Sequence, residues 1–144
     1  MLKKLSILVL SILVSLNLCA QIQEAELFGT WKGKQVIIDP SQMPQKLPPE
    51  IKLFEKELAS STFTFNPDHK CTVIINKELS VSKAYWKYDT TTAALDIIEW
   101  EDRNIRKPAL LFRLYAMQKG EYFAFMMDET PYTLIVVKQQ QTPK

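Results

Sequence analysis

Histidine and glycine are scarce in this sequence, and each scarcity argues against a class of site. His69 is the only histidine, which leaves no second imidazole for a catalytic or metal-binding pair. With three glycines in the whole chain, there is no glycine-rich loop to wrap a phosphate. No serine stands in the context of a nucleophile elbow. We therefore predict no catalytic residues, no metal ligands and no cofactor, and we expect the protein not to be an enzyme.

Long hydrophobic runs are also missing, except for one at the N-terminus. Lys3 and Lys4 precede an apolar run over residues 5–18, and small residues follow it. A positive start, a short apolar stretch and small residues are the layout of a secretory signal. The run is shorter than the roughly 20 residues of a membrane-spanning helix, so we expect no transmembrane segment after processing.

Two ways of processing this signal remain open. Cleavage after Ala20 predicts a signal peptide over residues 1–20 and a single mature domain over residues 21–144, in the periplasm or outside the cell. The alternative is a lipid anchor on Cys19. Plain cleavage is favoured because Leu18 stands where a lipidation site has a small residue.

The mature chain has neither an internal disulfide nor a surplus of charge. Cys71 is its one cysteine, and the alternating apolar residues around Cys71 favour a buried thiol. An exported domain without disulfides depends on its core alone. Loss of Lys3 and Lys4 leaves sixteen basic and sixteen acidic residues, so the formal charge falls from +2 to 0. A neutral chain argues against nucleic acid as a partner, because phosphate binding needs a basic surplus.

What the sequence does contain is a series of apolar runs with a period of two. The runs are rich in β-branched and aromatic residues, which predicts β-strands. Turn formers separate them, as in Asn66-Pro67-Asp68 and Lys119-Gly120. The predicted strands span residues 30–38, 61–66, 70–76, 82–88, 94–100, 109–118, 121–127 and 132–139.

One segment between the first two strands has helical spacing instead. Pro48 and Pro49 stand where proline suits the start of a helix, so we predict a short amphipathic helix over residues 48–59. Its apolar face comprises Leu47, Ile51, Phe54 and Leu58. Its other face comprises Lys52, Glu55, Lys56 and Glu57.

Eight successive strands with mostly short links predict an all-β fold, an eight-stranded antiparallel up-and-down barrel. A meander of this length tends to close on itself because closure removes exposed edges. Tight links alternate with longer ones along the chain, and alternate links lie at the same end of such a barrel. We therefore expect one neat, closed end and one elaborated, open end that the helix covers. Loops at such a rim are where binding usually occurs.

Three stretches of sequence are similar to a known family. Residues 27–31, LFGTW, resemble the Gly-x-Trp opening of the lipocalins and their relatives. Residues 63–68, FTFNPD, and residues 83–89, KAYWKYD, resemble the middle of bacterial lipocalin-like domain proteins, whose barrels are of the calycin type. The resemblance covers most of residues 27–138 and implies an eight-stranded barrel.

The resemblance also implies a role for each end of the barrel. At the closed end, Trp31 would follow Gly29 into the first strand and plug the barrel, with Lys138 as the basic residue above it. At the open end, the family implies an exported binding module for a small apolar or amphipathic ligand. Phe54 and Leu58 on the apolar face of the helix are candidate ligand-binding residues.

Basic residues supply the other ligand-binding candidates. Arg103, Arg106 and Lys107 fall in the link between the fifth and sixth strands, on the expected open rim. They would steer an anionic amphipathic ligand, such as one with a fatty-acid carboxylate, into the barrel. The alternative is an exposed loop whose basic residues are neutralised by nearby acids. Arg113 is either an inward cation that needs an anion or an outward side chain, and the outward orientation is favoured.

The number of inward aromatic side chains determines the volume left for a cavity inside the barrel. An eight-stranded barrel holds either a packed core or one small ligand, so many inward rings predict a small cavity or a cleft near the rim. The alternative function is a filled-barrel protein-interaction or inhibitor module of the cell envelope. An enzyme would need a polar group inside the barrel, such as Arg113 with Glu99. The candidate inward rings are Phe63, Phe65, Trp86, Tyr88, Phe112, Phe123 and Phe125.

Overall fold

The computed structural model describes residues 21–42, 49–99 and 109–141, apart from the side chains of Glu50 and Lys119. In this part of the chain, eight antiparallel strands close into one barrel, with each strand paired to its neighbours in chain order and the last paired to the first. The strands are β1 (Gly29–Ile38), β2 (Thr62–Phe65), β3 (Lys70–Ile74), β4 (Ser80–Asp89), β5 (Ala94–Glu99), β6 (Leu110–Lys119), β7 (Tyr122–Met127) and β8 (Tyr132–Lys138).

The barrel confirms the fold predicted from the period of two. Phe63 and Phe65 of β2 are buried, and they pair with Val73 and Cys71 of β3. Thr64 lies between the two rings and is only half-buried. Alternation of this kind lets each strand present apolar side chains to the interior and polar ones to water.

The described residues include two α-helices. The first, α1 (Glu24–Leu27), is a single turn in which the Glu26 carboxylate accepts a hydrogen bond of 2.6 Å from the Gln23 backbone N–H. The second, α2 (Pro49–Ala59), is the predicted helix between the first two strands. A 3₁₀ turn at Pro40–Gln42 follows β1. Among the residues described, no helix has the length and apolar character needed to cross a membrane.

The C-terminal turn of α2 lies against the inner side of β1. A Cβ atom on Gly33 would sit 2.7 Å from the Ala59 carbonyl oxygen, so a side chain here would collide with backbone. The Gly33 N–H donates to the Ser61 carbonyl at 2.8 Å, and Leu58 is completely buried. Because glycine has no side chain, the backbone at the C-terminal end of α2 can pack directly against β1.

The two ends of the barrel differ in their links. The closed end carries the short links at residues 66–69, 90–93 and 120–121, together with the start of β1 and the end of β8. The open end carries α2 and the links at residues 75–79 and 128–131. This division follows the predicted alternation of tight and longer links, except that the link at residues 128–131 is as short as those at residues 66–69 and 90–93.

Aromatic rings fill the interior between the two ends. The Phe63 and Phe125 centroids are 5.4 Å apart, as are those of Phe65 and Trp86, and both pairs meet edge to face. Such contacts add to the free energy of burial. Five of the seven rings predicted to face inward are buried, namely Phe63, Phe65, Trp86, Tyr88 and Phe125. The other two, Phe112 and Phe123, are partly buried against the same core.

Candidate functional site

The closed end is built around Trp31. Its indole N–H donates to the Leu27 carbonyl at 2.9 Å, and its ring is 3% exposed. The Lys138 Nζ lies 5.2 Å from the Trp31 ring centroid and donates to the Glu26 carbonyl at 3.1 Å. Gly29 has a φ of 118°, and a Cβ there would lie 3.0 Å from the Lys138 Cε. The sequence-predicted residues Gly29, Trp31 and Lys138 therefore meet here, and their contacts are structural.

Residues 21–28, the N-terminal plug, cover this end. Ile22 is buried, and its carbonyl accepts a hydrogen bond of 3.0 Å from the Tyr88 hydroxyl. The Glu24 carboxylate lies 2.6 Å from His69 Nε2 on the turn between β2 and β3. The plug was not predictable from the sequence, because a single helical turn has no periodic pattern to detect. His69 lies in the turn between β2 and β3 with an exposed side chain, and its contact with Glu24 was not predicted from the sequence.

The mouth of the open end has a different composition. Half-buried apolar side chains line it under α2, and the Phe54 and Tyr132 rings meet there with their centroids 5.8 Å apart. Leu58 is completely buried below them. The sequence-predicted residues Phe54 and Leu58 therefore come together at the mouth. Its other half-buried apolar side chains are Val36, Ile38, Ile51, Ile75, Val81, Phe112 and Met127.

One polar atom is buried at the mouth without a partner. Glu55 Oε1 is out of contact with solvent and has no hydrogen-bond partner within the described ranges. Glu55 lies four residues after Ile51 and three before Leu58, so all three share the barrel-facing side of α2. Burial, and then the negative charge of Glu55, raise the pKa of the Tyr132 hydroxyl.

The placement of Glu55 corrects the sequence analysis, which put it on the solvent face with Lys52, Lys56 and Glu57. The helical spacing from Ile51 and Leu58 already contains the signal. A polar residue at i+4 from one apolar position and i−3 from another lies inside the apolar stripe. The angle of a residue on the helix, rather than its polarity, determines which face it shares.

The predicted basic residues do not all fall in the described part of the chain. Arg103, Arg106 and Lys107 lie outside the described residues, and their role in steering a ligand stays a prediction. Arg113 points outward from β6, in the favoured orientation, and its guanidinium binds both Asp96 carboxylate oxygens at 2.5 and 2.9 Å. Hydrogen bonds to Asp96 and its charge raise the pKa of Arg113. Arg113 is thus not part of the mouth.

Two surface pockets lie outside the barrel. A polar one of about 320 Å³ runs along β4 to β6, where Arg113, Asp96 and Tyr115 contribute to its wall. A shallow groove of about 590 Å³ lies beside the closed end, between Glu26, Tyr122 and Val137. The Lys138 amine at this groove is already engaged by Trp31 and by the Glu26 carbonyl. Neither pocket combines an apolar floor with an unpaired polar group, as the mouth does.

Histidine, cysteine and acidic side chains are the residues that metal binding or thiol chemistry would use. Within residues 21–42, 49–99 and 109–141, histidine, cysteine and acidic side chains form no group of three suited to a metal ion. Burial raises the pKa of the Cys71 thiol to about 12, so the thiol stays protonated at neutral pH and is a poor nucleophile. The chemistry that the described residues do provide is apolar contact around a carboxylate at the mouth.

Comparison with known proteins adds no relative to this description. No protein-family model, no curated protein and no solved structure matches the chain.

Proposed function

We propose that this protein is an exported, non-enzymatic, lipocalin-like binding module that holds a small amphipathic molecule at the open end of its barrel, under α2. The observation that carries the proposal is the half-buried apolar lining of the mouth. Apolar side chains that remain partly in water are the surface that an apolar ligand covers with a gain in free energy.

The filled interior limits where such a molecule binds. Phe63, Phe125 and Trp86 occupy the middle of the barrel, and Leu58 closes it from above. A ligand therefore lies between α2 and the rim rather than along the axis of the barrel. This position favours a short apolar body in contact with Phe54 over a long chain that threads the interior.

Export rests on the sequence of the first twenty residues and agrees with the position of the N-terminal plug. Ile22 is buried and accepts a hydrogen bond from Tyr88, and Gln21 before it is exposed. Cleavage after Ala20 would keep Ile22 and its hydrogen bond from Tyr88 in the mature chain. We therefore propose a mature chain that starts at Gln21, in the periplasm or outside the cell.

Titration with the apolar fluorophore N-phenyl-1-naphthylamine tests the binding site. Phe54→Ala removes a half-buried ring from the mouth, and we expect it to weaken binding about tenfold, as loss of buried aromatic surface predicts. Leu53→Ala is the matched control, because Leu53 is the next residue of α2 and is 58% exposed. Equal affinities of wild type and Phe54→Ala, or no binding by wild type, would contradict the proposal. If the fluorophore binds wild type and Phe54→Ala weakens its binding, native mass spectrometry of the protein purified from its own host would identify the natural ligand.

The outer wall formed by β6, β7, β8 and the end of β1 favours a second candidate function, a protein-interaction module. Its outward side chains are unusually apolar for a barrel surface. Tyr122 and Val137 are 51% and 47% exposed, and Ile37 and Met126 are 46% and 37% exposed. The opposite wall, formed by β4 and β5, instead carries charged outward residues, among them Lys87 and Asp96.

The partner that we infer for this wall is a second copy of the chain. Lys34 borders the wall on β1, and Glu121 and Asp128 border it at the two ends of β7, so both signs of charge are present for a self-complementary contact. Sedimentation equilibrium is the test, with a dimer for wild type and a monomer for Val137→Glu. Thr72→Glu, on the outer side of β3, is the control and should stay dimeric. A wild-type monomer at every concentration would exclude this candidate.

A further inference from the structure

The two acidic side chains near the C-terminal end of α2 have different surroundings. Glu57 Oε2 accepts a hydrogen bond of 2.6 Å from Asn76 Nδ2, in the link between β3 and β4. Glu55 Oε1 is buried and lacks any such donor among the described residues. A buried carboxylate oxygen without a donor destabilises the fold, because it loses its hydration and gains nothing in exchange. Glu55 is therefore placed poorly for stability alone.

An aromatic pair lies near this carboxylate. Phe54 precedes Glu55 in the helix, and the Tyr132 ring lies 5.8 Å from the Phe54 ring with the two planes tilted by 57°. The negative charge of Glu55 contributes to the raised pKa of the Tyr132 hydroxyl, so the carboxylate is close enough to the phenol to interact with it electrostatically. A carboxylate beside two aromatic rings is a combination that binds ammonium groups through charge-assisted hydrogen bonds and cation–π contacts.

The helix itself supplies no cation to this position. Lys52 and Lys56 are its described basic residues, and both side chains are exposed on the far side of α2. The ion pairs formed by described residues involve Glu24, Asp68 and Asp96, and none of them involves Glu55. The negative charge under α2 is thus uncompensated by the neighbouring elements that the structure describes.

We propose that the molecule held at the mouth carries an ammonium or other N–H-donating group that binds Glu55 Oε1 near the aromatic pair of Phe54 and Tyr132. This inference rests on the proposed function and specifies the ligand class, a short cationic amphiphile. It differs from the anionic head group that Arg103, Arg106 and Lys107 suggest in the sequence, since Glu55, the unpaired charge among the described residues under α2, is negative. The apolar part of the ligand then covers the half-buried lining of the mouth.

Competition between two matched amphiphiles tests the inference. Octylammonium and octanoate have chains of equal length and opposite charge, and each displaces bound N-phenyl-1-naphthylamine in proportion to its own affinity. We expect wild type to prefer octylammonium by about tenfold or more, the range of a charge-assisted hydrogen bond. Glu55→Gln should bring the two affinities to within about twofold of each other.

A second variant separates a specific contact from a general effect of charge. Glu57→Gln removes the same charge from the same helix, and its amide oxygen still accepts a hydrogen bond from Asn76. We expect it to keep the wild-type preference for octylammonium. If Glu57→Gln lowers the preference as much as Glu55→Gln does, the effect is long-range and the inference is overturned.

The outcomes distinguish this inference from the function on which it rests. Octanoate that competes as well as octylammonium, at a site weakened by Phe54→Ala, would overturn the cationic ligand and leave the binding module standing. Absence of fluorophore binding by wild type would overturn both. Thermal denaturation without ligand gives an independent readout, because loss of an unpaired charge should make Glu55→Gln more stable than wild type. A lower melting temperature for Glu55→Gln would show that Oε1 already has a partner and would contradict the inference.

Discussion

The two ends of this barrel satisfy their polar groups in different ways. At the closed end, the indole of Trp31, the amine of Lys138 and the hydroxyl of Tyr88 all donate to carbonyls of the N-terminal plug. At the open end, Glu55 Oε1 is buried without a described partner, and Phe54 remains partly in water. One end is thus completed by the chain itself, and we propose that the other is completed by a bound molecule.

The difference has an energetic consequence. Contacts at the closed end contribute to the free energy of unfolding, so substitutions there should reduce stability without a specific effect on binding. Polar and half-buried groups at the open end contribute little to stability or oppose it. Substitutions there should change binding more than folding, as is common for sites that are not optimised for stability.

Trp31→Ala should produce the largest loss of stability. The change removes a ring that packs 4.8 Å from Phe123 and leaves the Leu27 carbonyl without its indole donor. We expect the free energy of unfolding to fall by about 3–5 kcal/mol in denaturant titrations. Tyr122→Ala is the control, since that ring is 51% exposed, and it should lose much less. Similar losses for both variants would show that Trp31 is not the centre of the closed end.

Gly33→Ala should act on the open end through the position of α2. The new methyl group would lie 2.7 Å from the Ala59 carbonyl, so the helix must shift, with an expected loss of about 1–3 kcal/mol and weaker fluorophore binding. Gly120→Ala, at the closed end, has open space around the new methyl group but a φ of 59°. It should lose about 1 kcal/mol and keep its affinity for the fluorophore. Unchanged fluorophore affinity in Gly33→Ala would show that the position of α2 does not affect the binding site.

Cys71, buried in the core near the closed end, should make the free energy of unfolding fall at alkaline pH. Burial raises the thiol pKa from 9.0 to about 12, so the folded state holds its proton while the unfolded state loses it. The stabilisation is complete below pH 9 and is lost as pH rises from 9 towards 12. Between about pH 8 and about pH 10, wild type should lose about 1 kcal/mol more than Cys71→Ala. Equal pH slopes would show that the thiol is hydrated.

Burial also raises the pKa of Tyr88 and Tyr132. These shifts likewise lower the free energy of unfolding at alkaline pH, and they do so in both wild type and Cys71→Ala. The comparison with Cys71→Ala removes this common contribution, because both tyrosines are present in wild type and variant. The measurement is therefore the difference between two denaturation curves at each pH rather than the pH profile of wild type alone.

Tyr88→Phe should produce the smallest effect, confined to the N-terminal plug. The change deletes the hydrogen bond to the Ile22 carbonyl and keeps the ring, so the free energy of unfolding should fall by about 1 kcal/mol. Hydrogen exchange should accelerate at residues 21–28 and stay unchanged at α2. Tyr122→Phe, on the exposed surface, is the matched control. Faster exchange at α2 would show that the two ends are coupled.

The fold was predictable from the sequence because burial on strands repeats every two residues. Alternating apolar residues such as Phe63 and Phe65 indicate a β-strand in any sheet, and a turn with proline, such as the one at Pro67, indicates where the strand ends. The helical spacing of Phe54 and Leu58 likewise indicated α2, and its position between the first two strands is confirmed. These signals are local, so a single sequence contains them.

The candidate site was harder to predict because it depends on contacts between distant segments. Contact of Lys138 with Glu26 joins the two ends of the domain, and only the family resemblance suggested that Lys138 lies over Trp31. The α1 turn has no pattern long enough to detect. Glu55 was misplaced because its polarity was given more weight than its angle on α2, and its lack of a partner is a property of the packed structure.

Hydrogen exchange with and without octylammonium tests the central claim most directly, because it reports both ends of the barrel in one experiment. We expect the ligand to slow exchange in α2 and in the link at residues 128–131, and to leave the N-terminal plug unchanged. Slower exchange at the plug or on the outer wall around Val137, with no change in α2, would contradict the claim that the open end is the binding end.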